Sequence, residues 1–166
     1  MDFIKDYSDI NICDIGASPC DKTTFIDVLL ENTNSKITGF EPNLEEFNKL
    51  ENSKNKKYYN FAIGDGKKHN FNICAIPGMS SFLEPNIDYL KLFHGYSEWS
   101  KIIKKIPVQT KKLDEINDNF DLIKIDVQGF ESEIIKNDKN KIKDSLVVQI
   151  ETSPIPLYNN EKPFSY

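Results

Sequence analysis

Four short apolar runs that each end in a carboxylate constrain this chain more than any other feature. They are Ile10–Asp14 (INICD), Ile37–Glu41 (ITGFE), Leu122–Asp126 (LIKID) and Leu146–Glu151 (LVVQIE). Near-continuous apolar runs read as strands buried on both faces, as in a parallel sheet. Helical spacing separates them. Phe25, Val28 and Leu29 stand at i, i+3 and i+4 within Asp21–Glu31, and Leu44, Phe47 and Leu50 share one face of Leu44–Asn52. Phe130, Ile134 and Ile135 repeat the spacing after Asp126, and Asn43 with Glu46 predicts an N-cap pairing. Strands alternating with helices imply βαβ units. The expected fold is an α/β domain with a mostly parallel sheet, helices on both faces and strand-end acids along its carboxyl edge. Open sheets of this kind bind ligands along that edge.

The middle of the chain departs from this alternation. Lys57–Ile63 and Asn70–Ile76 are strand-like, and Gly64-Asp65-Gly66 between them predicts an antiparallel hairpin. Gly78 to Glu84 reads as a loop, Asn86 to Lys105 as a helix broken at Gly95, and Pro107–Thr110 as a short strand. No repeat or low-complexity linker divides the 166 residues, a length that suits one domain.

Charge narrows the partners. The net charge of −5 gives no reason to expect nucleic acid, and all 21 basic residues are lysines. Without arginine there is no bidentate clamp for phosphate. Cys13, Cys20 and Cys74 form no CxxC pair and no metal-ligand cluster with His69 and His94, so no metal is expected. The acidic N-terminus lacks an apolar leader and no apolar run approaches 18 residues, so the expectation is a cytoplasmic protein with no membrane insertion.

Four places can carry chemistry. Asp14-Ile15-Gly16-Ala17-Ser18-Pro19 joins a strand to a helix, and a glycine there admits close backbone approach to a ligand. Glu41 ends the next strand, where an acid can accept both ribose hydroxyls of a nucleoside. Asp65 can accept from an exocyclic amine, with Ile63 as an apolar wall, although an aspartate before glycine is also an ordinary turn residue. Asp126 ends the presumed central strand, and Lys124 two residues earlier points to the same side. An ion pair between them is the plainer reading, since a lysine in a central strand needs a partner. The first two places together fit NAD or S-adenosylmethionine. The dinucleotide fingerprint wants GxGxxG, whereas Gly16 to Asp21 has only its first glycine, which favours S-adenosylmethionine.

The order of motifs resembles the FkbM family of class I S-adenosylmethionine-dependent methyltransferases. The stretches that carry the resemblance are DIGASPCD (14–21), GFEPN (39–43), FAIGDG (61–66), PGMSSFLEPN (77–86), VQTKKLDEI (108–116), DLIKIDVQGFE (121–131) and VVQIETSPIPLYNNEKPF (147–164). The resemblance implies a Rossmann-like sheet forming a single domain over 1–166, and methyl transfer to a hydroxyl of a sugar or other small molecule. By the match, Asp14, Gly16 and Ala17 flank the methionine part of the cofactor and Glu41 holds the ribose. Pro42, Ile63 and Asp65 surround adenine. Ser80 and Ser81 lie in the covering loop. Asp126, Gln128 and Glu131 face the methyl group and its acceptor, with Asp126 and Glu131 as candidate bases and His94 as a weaker one. Cys20 replaces a glycine common in class I enzymes. The final antiparallel hairpin of the class is missing, so the domain is expected to be incomplete at its C-terminus. Its Leu146–Glu151 edge is then open to self-association. The rival expectation is a non-catalytic module of the same fold that binds S-adenosylmethionine or a protein partner.

Overall fold

A computed structural model describes residues 9–19 and 24–162. Cys20, Asp21, Pro163 and Phe164 lie outside the described residues. Among the described residues, seven strands and six short helices follow one another. They are β1 (Asn11–Ile15), α1 (Phe25–Asn32), β2 (Lys36–Phe40), α2 (Leu44–Phe47), β3 (Lys56–Tyr59) and β4 (Lys68–Cys74). Next come α3 (Ile87–Leu90), α4 (Tyr96–Trp99), β5 (Ile102–Gln109), β6 (Leu122–Ile125), α5 (Glu131–Asn137), α6 (Lys139–Asp144) and β7 (Val147–Ile150). Five strands form one sheet in the order β3-β2-β1-β6-β7, and every pairing in it is parallel. β4 and β5 form a separate antiparallel pair. Among the described residues no strand follows β7.

The parallel strands are apolar on both faces because helices cover both. On one face Cys13, Ile15, Ile123 and Ile125 pack with Ile134 of α5, and Ile142 of α6 lies against them. On the other, Ile12, Ile37 and Leu122 pack against Ile26 and Leu30 of α1. A third cluster joins Cys74, Met79, Leu90 and Tyr158 beneath the antiparallel pair.

Three expectations are corrected. First, the segments read as a hairpin separate: Lys56–Tyr59 extends the main sheet beside β2, while Lys68–Cys74 pairs with Ile102–Gln109. The turn at Gly64-Asp65-Gly66 crosses the carboxyl edge instead, held there by the Gly64 N–H donating to the Lys111 carbonyl at 2.8 Å. Second, the long helix over 86–105 is two single-turn helices followed by a strand. The isoleucines at 102, 103 and 106 mimic a helical stripe, yet Ile102, Ile106 and Val108 are the half-buried ones, at strand spacing, and Ile103 is exposed. Third, of the Phe25, Val28 and Leu29 stripe only Leu29 packs against the core, while α1 buries Ile26 and Leu30 and leaves Phe25 and Val28 47% and 39% exposed. Both pairs have helical spacing, and only contact with the sheet separates them. The Asn43 cap is present, accepting from Glu45 N at 3.1 Å, but Glu46 turns to Lys49 instead of closing the pairing.

Ile123 of β6 is fully enclosed. Ile123→Ala is expected to lower the unfolding free energy by about 2–5 kcal/mol. Urea denaturation should show a lower midpoint at unchanged slope. An unaffected midpoint would mean that the core does not centre on β6.

Candidate functional site

A cleft opens where β1 and β2 diverge at their carboxyl ends, lined at its base by Gly16, Glu41, Pro42 and Asn43. Ala62, Ile63, Phe71 and Phe82 give it apolar walls, and Asp126, Val127 and Gln128 close the far side. Parallel register puts these groups together: Ile15 lies opposite both Phe40 and Ile125, so the residues that follow each strand emerge side by side.

Gly16 has φ of 85°, and a Cβ there would run into the Asp126 carbonyl oxygen. Only glycine lets the β1 turn sit this close to β6. The Gly16 and Ala17 N–H groups both donate to the Phe40 carbonyl at 3.0 Å, which pins the turn across β2. Ala17 is buried beneath the turn.

Glu41 is buried, and no cation pairs with it among the described residues. Its Oε1 accepts from the Asn43 N–H at 2.5 Å. Burial pushes its carboxyl up to about 7, against the pull of the Asn43 N–H, and Glu46 and Asp14 add to the rise. An acid with so few partners in an apolar wall is costly unless a ligand completes it.

Lys124 is held between two acids, with its Nζ at 3.1 Å from Asp14 Oδ1 and 3.4 Å from Asp126 Oδ2. Burial pushes the ammonium down, but Asp14 and Asp126 outweigh it and hold it above the usual lysine range. The ion pair expected from sequence is therefore present, and Asp14 shares in it from the α1 side of the sheet. Asp126 also accepts from Gln128 Nε2 at 3.0 Å.

The other predicted site residues divide into two groups. Ser80 lines the cleft and its Oγ accepts from the Cys74 N–H at 3.1 Å. Ser81 is buried and donates to the Gln128 carbonyl at 2.6 Å, so it braces the wall from behind. Glu131 lies off this cleft: its Oε1 accepts from the N–H groups of Val127 and Gly129 at 3.0 and 3.1 Å, tying down the β6–α5 turn. Asp65 is also off the cleft wall. Its Oδ1 accepts from the Lys67 N–H at 3.0 Å and meets His69 Nε2 at 2.7 Å. Burial pushes Asp65 up, but the bonds from His69 and Lys67 outweigh it and leave the carboxyl below its usual range. His94 is exposed in the turn between α3 and α4, away from the cleft.

Sequence reasoning gave no role to Phe71, Phe82, Glu151 or Tyr158. Phe82 lies in the quoted MSSFLEPN stretch, and Glu151 shares the strand-end plan of the other acids. Phe71 became visible only once β4 was placed beside the carboxyl edge.

The cleft sets the apolar side chains of Pro42 and Ile63 beside the Glu41 and Asp126 carboxylates. The pattern of the Methyltransferase FkbM domain matches residues 14–164. This chain therefore belongs to the FkbM methyltransferase domain family. A solved structure of methyltransferase FkbM from Methylobacillus flagellatus KT has a similar fold, with a TM-score of 0.52 and 14% sequence identity. The likeness covers 87% of this chain and 33% of that one, so this chain spans about a third of the length of the protein it matches. No match was found among curated proteins. Among the described residues no helix is long and apolar enough to cross a membrane.

The raised carboxyl of Glu41 has a stability consequence. The folded chain holds its proton up to about 7, whereas an unfolded carboxyl releases it near the ordinary value. Stability is therefore lost as pH rises between those two values. Glu41→Gln keeps the shape and removes the charge. It is expected to raise the stability of the ligand-free protein by on the order of 1–3 kcal/mol at pH 8, with the gain fading toward pH 5. Thermal melts at both pH values check this, and an equal change at both would contradict it.

Proposed function

We propose that this domain transfers a methyl group from S-adenosylmethionine to a hydroxyl of a sugar or other small acceptor, and that it works in the cytoplasm. The observation that carries the reading is Glu41, a buried carboxylate lining an apolar cleft, with no cation paired to it among the described residues. A nucleoside diol would supply the donors it lacks. In this reading Pro42 and Ile63 flank the adenine, and Asp65, two residues beyond Ile63, approaches it only by leaving His69. Gly16 and Ala17 run beside the methionine part, with Asp14 toward its ammonium. Ser81 holds the covering loop against Gln128, and Ser80 ties it to Cys74 of β4.

When bound, S-adenosylmethionine supplies a methyl group already activated on a sulfonium. The protein's task is alignment and exclusion of water. Asp126 stands at the end of the cleft and, as the base, takes the acceptor's hydroxyl proton onto its carboxylate while the oxygen takes the methyl group. Glu131 is the weaker candidate, because its carboxylate already holds the turn before α5. Self-association along the Leu146–Glu151 edge belongs to the same proposal. It rests on the 80% exposure of Leu146 and 52% exposure of Val147 at the edge strand β7, whose outer side pairs with no strand among the described residues.

One observation favours a second reading, a module that binds the cofactor without turnover. Burial pushes Asp126 up, but Glu151, Lys124 and Gln128 together bring its carboxyl below the usual range. A carboxylate stabilised in this way is a weak base.

Calorimetry with S-adenosylhomocysteine, followed by transfer of a labelled methyl group to a panel of sugars, separates the two. Glu41→Ala is expected to weaken binding about 10–100-fold without unfolding the domain. Asp126→Asn should leave binding largely intact and lower turnover about 10²–10⁴-fold. Binding by the wild type without transfer to any acceptor would favour the module. Wild-type protein that does not bind S-adenosylhomocysteine would overturn both readings.

A further inference from the structure

Gln128 follows Asp126 by two residues and has φ of 57°, a left-handed conformation uncommon for a residue with a side chain. Gly129 beside it has φ of 94°. A strained turn of this kind persists only where its surroundings hold it. Here four groups do so. The Ser81 hydroxyl donates to the Gln128 carbonyl at 2.6 Å. The Tyr158 hydroxyl reaches Gln128 Oε1 at 3.0 Å while also contacting the Met79 carbonyl at 3.1 Å. The Asp126 carboxylate can only accept, so the amide presents its nitrogen to the acids and its oxygen to Tyr158, whose single proton is shared between that oxygen and the Met79 carbonyl. Nε2 then donates one proton to Asp126 Oδ1 at 3.0 Å and the other to Glu151 Oε2 at 2.6 Å.

Glu151 follows β7, and the register that pairs Ile125 with Ile150 brings it alongside Asp126. It lines a second cleft with Glu131, Ser153, Tyr158 and Glu161, and Gln128 forms the wall between that cleft and the first. We propose that Glu151 is a positioning residue: bridged through Gln128, it fixes the Asp126 carboxylate where it lines the first cleft, so that β7 as well as β6 sets the geometry for methyl transfer. This rests on the methyltransferase reading of the first cleft.

The charges around the bridge agree with it. Asp126 and Lys124 face Glu151 from β6, Glu131 from α5, and Tyr158 and Glu161 from the segment after β7, while Asp14 of β1 holds the other side of Lys124. Burial, and then the bond to Asp126, push the Glu151 carboxyl up to about 8. Asp126, by contrast, is held below the usual carboxylate range, so the charge of the pair rests on Asp126 and Glu151 holds the proton. Glu151→Gln keeps a neutral group able to accept from Gln128 and donate to Asp126. Glu151→Ala removes the bridge.

The test is a carbon-13 carboxyl titration by nuclear magnetic resonance, with the Glu151 signal assigned by its loss in Glu151→Gln. The wild type should show Glu151 titrating near 8, and Asp126→Asn should move that midpoint down by at least about 1 on the pH scale. Glu151→Ala should lower kcat about 10–100-fold with S-adenosylhomocysteine affinity nearly unchanged, and Glu151→Gln should restore most of it. A Glu151 midpoint in the ordinary carboxylate range, or one indifferent to Asp126→Asn, overturns the bridge. So does a Glu151→Gln variant as slow as Glu151→Ala. Calorimetry on the wild type keeps the two claims apart: failure to bind S-adenosylhomocysteine overturns the reading of the first cleft, whereas normal binding with an ordinary Glu151 midpoint overturns only the bridge.

Discussion

Parallel pairing of β1 with β2 on one side and β6 on the other is the constraint from which the site follows. Parallel strands all end at the same edge, so the residue after each strand meets its counterparts there. Glu41, Asp126 and Glu151 follow β2, β6 and β7, and Asp14 sits one residue before the end of β1. The same register sets Asp14 directly opposite Lys124 and Lys124 opposite Gln149. A slip of one residue would turn each of these side chains to the other face. It would leave Lys124 among Ile134 and Ile142 and break the acid edge apart.

Lys124 is the cost of gathering carboxylates into one place. Asp14 and Asp126 would repel one another without a cation, and Lys124 neutralises the pair from within the sheet. A buried ion pair of this sort contributes little net stability relative to an apolar replacement, yet removing one partner is severe because a buried charge is left alone. The arrangement makes sense as the support of a site more than as a support of the fold. Glu41 is different in kind: no cation pairs with it among the described residues, and burial holds its carboxyl up at about 7.

The parallel core was legible because its runs are short, apolar and punctuated by acids, and the order of motifs carried the family. The cleft residues Gly16, Glu41, Pro42, Ile63, Ser80, Asp126 and Gln128 were all named from the sequence, and they come together. What escaped was the middle of the chain. Lys56–Tyr59 and Ile102–Gln109 pair with strands far from them in sequence, and local spacing says nothing of a distant partner. The choice between Phe25 and Ile26 on α1 failed for the same reason, since both faces of that helix are apolar. Glu131 and Asp65 were drawn toward the site by their neighbours in the motifs. Their carboxylates instead meet backbone N–H groups one turn away, and turn chemistry of that kind leaves no mark beyond an acid near a glycine.

The claim at the centre of this account is that the edge between β1, β2 and β6 is built for a nucleoside attached to a cationic sulfur. A crystal structure of the chain with S-adenosylhomocysteine tests it most directly. The ribose hydroxyls should lie about 3 Å from the Glu41 carboxylate. The adenine should rest between Pro42 and Ile63, and the thioether sulfur should face Asp126 and Gln128. Ligand found elsewhere, or seated in the cleft with Glu41 still bonded only to Asn43, would contradict the account.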